Sequence, residues 1–162
     1  MSAKADVTAR GATATAVEGE VEYVTFRVGD QWLGIPVVMV QEVLTAERIA
    51  RVPLAPREVT GFLNLRGQIV SAIDLRARLD LPPRAQDQRF MNVVVRDREE
   101  LFSFLVDEVG DVQTVGAHGL EPVPATLDPH WRQVCEGVVR RKTDLLVAVC
   151  AEKLLRVAES AA

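Results

Sequence analysis

Val24-Thr-Phe-Arg-Val-Gly-Asp-Gln-Trp-Leu-Gly-Ile-Pro36 is the stretch on which the fold turns. Val24, Phe26 and Val28 alternate with Tyr23, Thr25 and Arg27, the period of a half-buried strand. Gly29-Asp30 supplies a two-residue turn, and Gln31 to Ile35 forms the returning strand of a hairpin. Pro36 ends it, because proline has no N–H to give to a ladder.

The same grammar recurs along the chain. Phe62–Leu65 and Gln68–Ile73 flank Arg66-Gly67, a second hairpin. Phe90–Val95 and Leu101–Val106 flank Arg96–Glu100, and Val134–Val139 and Leu145–Val149 flank Arg140–Asp144. Val109, Val112 and Val115 mark one further strand. Between these, Val37, Val40, Gln41 and Leu44 fall at helical spacing, which predicts a short helix over Val37–Leu44. Ile49–Val52 reads as a brief extended piece. Pro56 and Gly61 sit where the N1 proline and C′ glycine of a one-turn helix would stand. Asp74 is placed to cap a short helix, Leu75–Leu79. Gly116–Pro129 reads as a long loop, and Glu152–Ala158 as a closing helix.

Roughly ten short strands in two groups, with helices only at the joints, predict two small β-barrels. The expected boundaries are barrel 1 over residues 21–80, barrel 2 over 81–150 and a C-terminal helix over 151–158, all one domain of 21–158. Residues 1–20 contain no Leu, Ile, Phe, Trp or Tyr and are expected to form a disordered tail. At 162 residues, a chain should bury about 70% of its unfolded surface, enough for a core without staples. Its 26 valines against eight aromatic residues suit pleated, β-branched surfaces.

The inventory for chemistry is thin. A net charge of −4 with scattered basic residues argues against nucleic-acid binding. Cys135 and Cys150 have no metal-ligand spacing. With no export signal in residues 1–20, a reducing cytoplasm is expected, in which both are small buried hydrophobes. None of the four serines lies in a nucleophile elbow; Ser71 and Ser103 read as packed or edge-facing hydroxyls within strands. His118 and His130 read as surface residues. Asp107 and Glu108, adjacent on a strand, point to opposite faces and cannot share a proton. No phosphate-binding glycine loop occurs, so neither cofactor nor metal is expected. Two charged residues look specific, Glu42 on an apolar segment and Arg66 at a hairpin tip. Each reads as a solvated charge or as half of a bidentate pair.

These residues carry a family resemblance. Gly-Ile-Pro-Val-Val-Met-Val-Gln-Glu-Val at 34–43 resembles the first signature of CheW-type chemotaxis coupling proteins. Arg51-Val-Pro-Leu-Ala-Pro, then Gly61-Phe-Leu-Asn-Leu-Arg-Gly, then Ile73-Asp-Leu-Arg resemble the second. Leu105-Val-Asp-Glu-Val, Gly137, Leu145-Leu-Val-Ala-Val and Glu152-Lys-Leu-Leu are similar to the later segments, so the likeness spans residues 21–157.

The resemblance implies two five-stranded SH3-like barrels with a core between them and no active site. It implies an adaptor coupling the cytoplasmic tips of chemoreceptors to the regulatory domain of the histidine kinase CheA, in the cytoplasm at membrane-associated receptor arrays. In some members further copies of the adaptor are partners; nucleic acid and direct membrane insertion are not implied. The receptor-binding groove it implies uses Val37, Val40, Met91 and Val93, beside a salt-bridged Glu42 and Arg66. The competing description of the valines and Met91 is plain core. Ser71, Ser103 and Cys150 depart from the family pattern, and packing or a barrel-end contact at Ser103 is expected to differ. Other readings keep the fold but serve a non-motility signalling array, or make the chain a thiol sensor or enzyme through Cys135 or Cys150.

Overall fold

The computed structural model describes residues 19–45, 49–51, 59–85 and 87–155. The tail expected over 1–20 lies outside these residues apart from its last two, as do Val52, Pro56 and the end of the closing helix.

The first strand, β1, is Val21–Val28, and β2 is Gln31–Pro36. After the 3-10 turn Val37–Met39 come β3, Val40–Thr45, and β4, Ala50–Arg51. The second hairpin is β5, Val59–Leu65, with β6, Gln68–Asp74. A short helix, Leu75–Arg78, follows; as expected, the Asp74 side chain caps it by accepting from the N–H of Arg76. Then come β7, Met91–Asp97, β8, Glu100–Val106, and β9, Glu108–Val115. The loop after β9 contains β10, Leu120–Glu121, and the helix Pro129–Arg132. The last hairpin is β11, Cys135–Arg140, with β12, Leu145–Val149, and residues 151–155 are helical. No helix among the described residues is long and apolar enough to cross a membrane.

The strands form two six-stranded sheets, in the orders β10-β11-β12-β2-β1-β9 and β3-β7-β8-β6-β5-β4. Each holds five long strands, as expected, and one of two residues. In a flat sheet, β11 and β9 would lie roughly 19 Å apart, four strand spacings. Yet Val139 of β11 and Val115 of β9 share one buried cluster with Tyr23, Leu146 and Ala148. Leu44 of β3 and Leu63 of β5 likewise meet around Val70, Val94 and Leu105. Both sheets therefore curl around cores of their own. A third, larger core lies between them, built from Phe26, Val28, Leu33, Ile35, Val147 and Val149 on one side and Ile73, Val93, Val95, Phe104 and Val106 on the other. Alternate residues of one strand thus enter different cores: Val93 and Val95 the shared one, Val94 that of its own barrel. A strand buried on both faces wants branched side chains at every position, which explains the run of valines.

Two expectations are corrected. The barrels do not divide at residue 80. One takes β1, β2 and β9 to β12; the other takes everything from β3 to β8. The chain crosses over through Val37–Met39 and returns at Asp107. Parallel pairing then completes each barrel, β12 on β2 and β6 on β8, between segments far apart in sequence that no hairpin signal connects. Second, Val37–Leu44 is not a helix. After the 3-10 turn it is β3, paired antiparallel with β7. The register shifts between Val40 and Glu42, so the bulge at Gln41 breaks the two-residue alternation and mimics helical spacing. Gly61, too, lies within β5 rather than after a helix.

Candidate functional site

Where the barrels meet, a cleft of ≈ 480 Å³ opens between the end of β3 and the starts of β7 and β9. Thr45, Phe90, Met91 and Val109 line it, with Arg89, Asp107 and Glu108. Of the six residues expected to form a groove, Met91 alone lines this cleft. Val37 and Val93 are 3% and 0% exposed. Both are buried: Val37 opens the 3-10 turn, and Val93, like every second residue of β7, enters the core shared by the barrels. The expectation that they form a contact surface is corrected. Val40 is half-buried and packs on the shared core, while its neighbour Val38 stands 62% exposed.

Glu42 and Arg66 do come together. The Arg66 guanidinium donates through Nη1 to Glu42 Oε2 at 2.7 Å and through Nη2 to Oε1 at 2.8 Å, a bidentate fork. The carboxylate side chain is 6% exposed and the arginine 72%. Hydrogen bonding to Glu42, then its charge, raises the Arg66 pKa above its ordinary value. Arg66 occupies the first position of the β5–β6 turn at φ 52°, with Gly67 at φ 84°. Positive φ at both positions is the two-residue hairpin turn that suits a twisted sheet. For a residue with a Cβ it costs about 1–2 kcal/mol. Asn64 steadies the turn by accepting from the N–H of Gly67 at 2.8 Å. Since β3 and β5 are four strands apart in the sheet order, the pair clips the two sides of the curled sheet together.

A second carboxylate, the first of the adjacent pair Asp107 and Glu108, is also gripped by arginines. Asp107, the residue between β8 and β9, is fully buried and receives three partners. Arg76 Nη2 donates to Oδ2 at 2.7 Å, Arg84 Nε to Oδ1 at 2.8 Å, and the N–H of Gly29 to Oδ2 at 2.7 Å. Burial pushes its pKa up, but the bonds from Arg76, Gly29 and Arg84 outweigh this and hold it below the ordinary value. Gly29 belongs to the first barrel and Arg76 follows a strand of the second, so Asp107 clasps the two beside the cleft. Arg84 also lies 5.7 Å over the Phe90 ring in the cleft wall. The available signal was an Asp closing the apolar run Leu101–Val106, with Arg76 in the Ile73–Arg76 motif. Glu108 points the other way, to Arg27 at 3.0 Å.

Of the two cysteines expected to be buried, Cys150 is only half-buried, and Cys135 offers little reactivity. Cys135 is buried and donates to the carbonyl of Gly137 at 3.2 Å. Burial raises its pKa, which disfavours the nucleophilic thiolate. His118 and His130 are exposed, as expected.

Two barrels on a shared core, with an open cleft at their junction, define a docking scaffold. The model of the family described as "CheW-like domain" matches residues 22–159. The chain belongs to this CheW-like family, whose members are non-catalytic adaptors. A probable chemotaxis protein CheW of Rhizobium etli is 30% identical over 145 residues, 90% of this chain and 94% of that one. The chemotaxis protein CheW of Rhizobium meliloti is 31% identical over 121 residues, 75% and 78% of the two chains. Among solved structures, the scaffolding protein TtCheW of Thermoanaerobacter tengcongensis superposes with a TM-score of 0.73 at 24% identity, covering 83% of this chain and 91% of that one.

Proposed function

We propose that this protein couples the cytoplasmic tips of chemoreceptors to the regulatory domain of the histidine kinase CheA, in the cytoplasm at membrane-associated receptor arrays. The observation that carries this is the cleft at the barrel junction within a CheW-like chain. Its Phe90, Met91 and Val109 offer apolar contact, and the Glu42–Arg66 pair stands about 10 Å up β3 from Thr45. A receptor tip built as a helical hairpin docks by laying an apolar stripe into such a groove. The contact residues are Met91 with Phe90 and Val109 in the cleft; Val93 supports them from the shared core, and Val40 lies farther along β3, opposite Val95. Arg66, exposed yet held by a buried carboxylate, offers a preorganised charge at the rim. The kinase binds elsewhere, at the barrel ends, leaving the cleft to the receptor.

The test is sedimentation of a receptor cytoplasmic fragment with CheA, with and without this protein. Kinase in the pellet and a rise in autophosphorylation, both dependent on this protein, are the expected outcome. A kinase that neither co-sediments nor changes rate would refute the coupling role.

A further inference from the structure

Ser103, singled out above as a departure, donates its hydroxyl to Asn92 Oδ1 at 2.8 Å. Both residues are 0% exposed. They lie diagonally across the β7–β8 ladder, Asn92 opposite Leu105 and Ser103 opposite Val94, and thus on the face that fills the second barrel. A neutral amide in so apolar a place needs both its ends satisfied. The other end is: Asn92 Nδ2 donates to the carbonyl of Thr45 at 3.1 Å. That carbonyl can only accept, so the NH2 must face it and the amide oxygen must face Ser103. Ser103 is the donor that makes this orientation stable.

Thr45 is the last residue of β3. It pairs with Met91, and the two line the cleft from neighbouring strands. Among the described residues β3 is an edge strand, held by a ladder on the β7 side alone. The end of an edge strand is where a ladder frays first. We propose that Asn92 and Ser103 are positioning residues for the cleft, a buried polar relay that pins the Thr45 backbone and so fixes one wall of the receptor site. This rests on the cleft being that site. The partner it serves is the apolar, helical receptor tip; a kinase docked at the barrel ends lies outside its reach.

The experiment uses the full chain in three variants, Ser103→Ala, the double variant Asn92→Leu with Ser103→Ala, and Met91→Asp. Each is measured for thermal melting, affinity for a receptor-tip fragment and affinity for the CheA regulatory domain. Ser103→Ala leaves the Asn92 oxygen unpaired. The double variant replaces both polar groups with apolar ones, which recovers melting but leaves the Thr45 carbonyl unpinned. Both are expected to bind the receptor fragment about fivefold more weakly, the worth of one such hydrogen bond, with kinase affinity unchanged. Met91→Asp is expected to lose receptor binding. If Met91→Asp fails to bind while the other two match wild type, the positioning role is overturned and the cleft stands. Should Met91→Asp bind normally, the cleft assignment falls and the proposal with it. Affinity for both partners that simply follows the melting temperature assigns the relay to stability alone and also overturns it.

Discussion

Glu42 and Asp107 are both carboxylates gripped by arginine forks, and their surroundings make them different devices. The Asp107 side chain is 0% exposed, and those of its partners Arg76 and Arg84 are only 13% and 8% exposed. All the charge is internal and joins segments from both barrels. At Glu42 the acid is buried but the arginine is 72% exposed. Half of that interaction faces solvent, from a turn that carries backbone strain. Fully enclosed forks hold domains together, whereas a half-enclosed fork displays a cation in a fixed pose for something else to use.

The comparison can be broken in steps. Asp107→Ala has the largest expected effect. It takes the buried carboxylate from Arg76 and leaves Arg84 facing Asp74 at 3.7 Å, and removing one partner of a buried ion pair costs about 3–5 kcal/mol. Urea unfolding should show this as a lower midpoint; a midpoint equal to wild type would deny the clasp. The pH profile comes next. Because the folded pKa of Asp107 is lowered, its stabilisation is complete above the unfolded-state pKa and disappears as pH falls through the folded value. Asp107→Asn should therefore lose less stability than wild type between neutral and strongly acid pH, measured by thermal melts at constant ionic strength. Arg66→Glu should fold, lose far less stability than Asp107→Ala, and depress kinase activation in reconstituted receptor complexes severalfold. Full activation would make Arg66 an ordinary turn residue. At the small end, Arg141 forms an i,i+3 pair with Asp144 at 2.6 Å, with side-chain exposures of 24% and 37%. Arg141→Ala should cost about 0–1 kcal/mol in the same urea assay.

How much of this was legible in the chain follows from the range of each interaction. The hairpins, the Asp74 cap and the all-β character rest on neighbours a few residues apart, and alternation with turn residues reveals them. Sheet membership does not: β2 meets β12 through Leu33 and Val147, and nothing local in either announces the other. The bulge at Gln41 turned a strand into an apparent helix by adding one residue to its period. At the site, Glu42 and Arg66 were recognisable as a pair through a motif. Val37 and Val93 came to the groove through the resemblance, and nothing local in the chain marks either as buried, Val93 in the core shared by two barrels. Asn92 gave no signal at all; its role exists only across the ladder from Ser103.

The interleaved strand order also constrains how the molecule reaches this state. Trp32 aligns with Leu146, and the Gln31 side chain donates to the carbonyl of Leu145 at 2.8 Å. On the ribosome, the first hairpin must therefore wait, its β2 edge unpaired, until the last strand, β12, emerges. The second barrel, contiguous from β3 to β8, can close earlier. Folding should accordingly be sequential and slow for a chain this size, with the middle of the sequence acquiring protection from hydrogen exchange before either end.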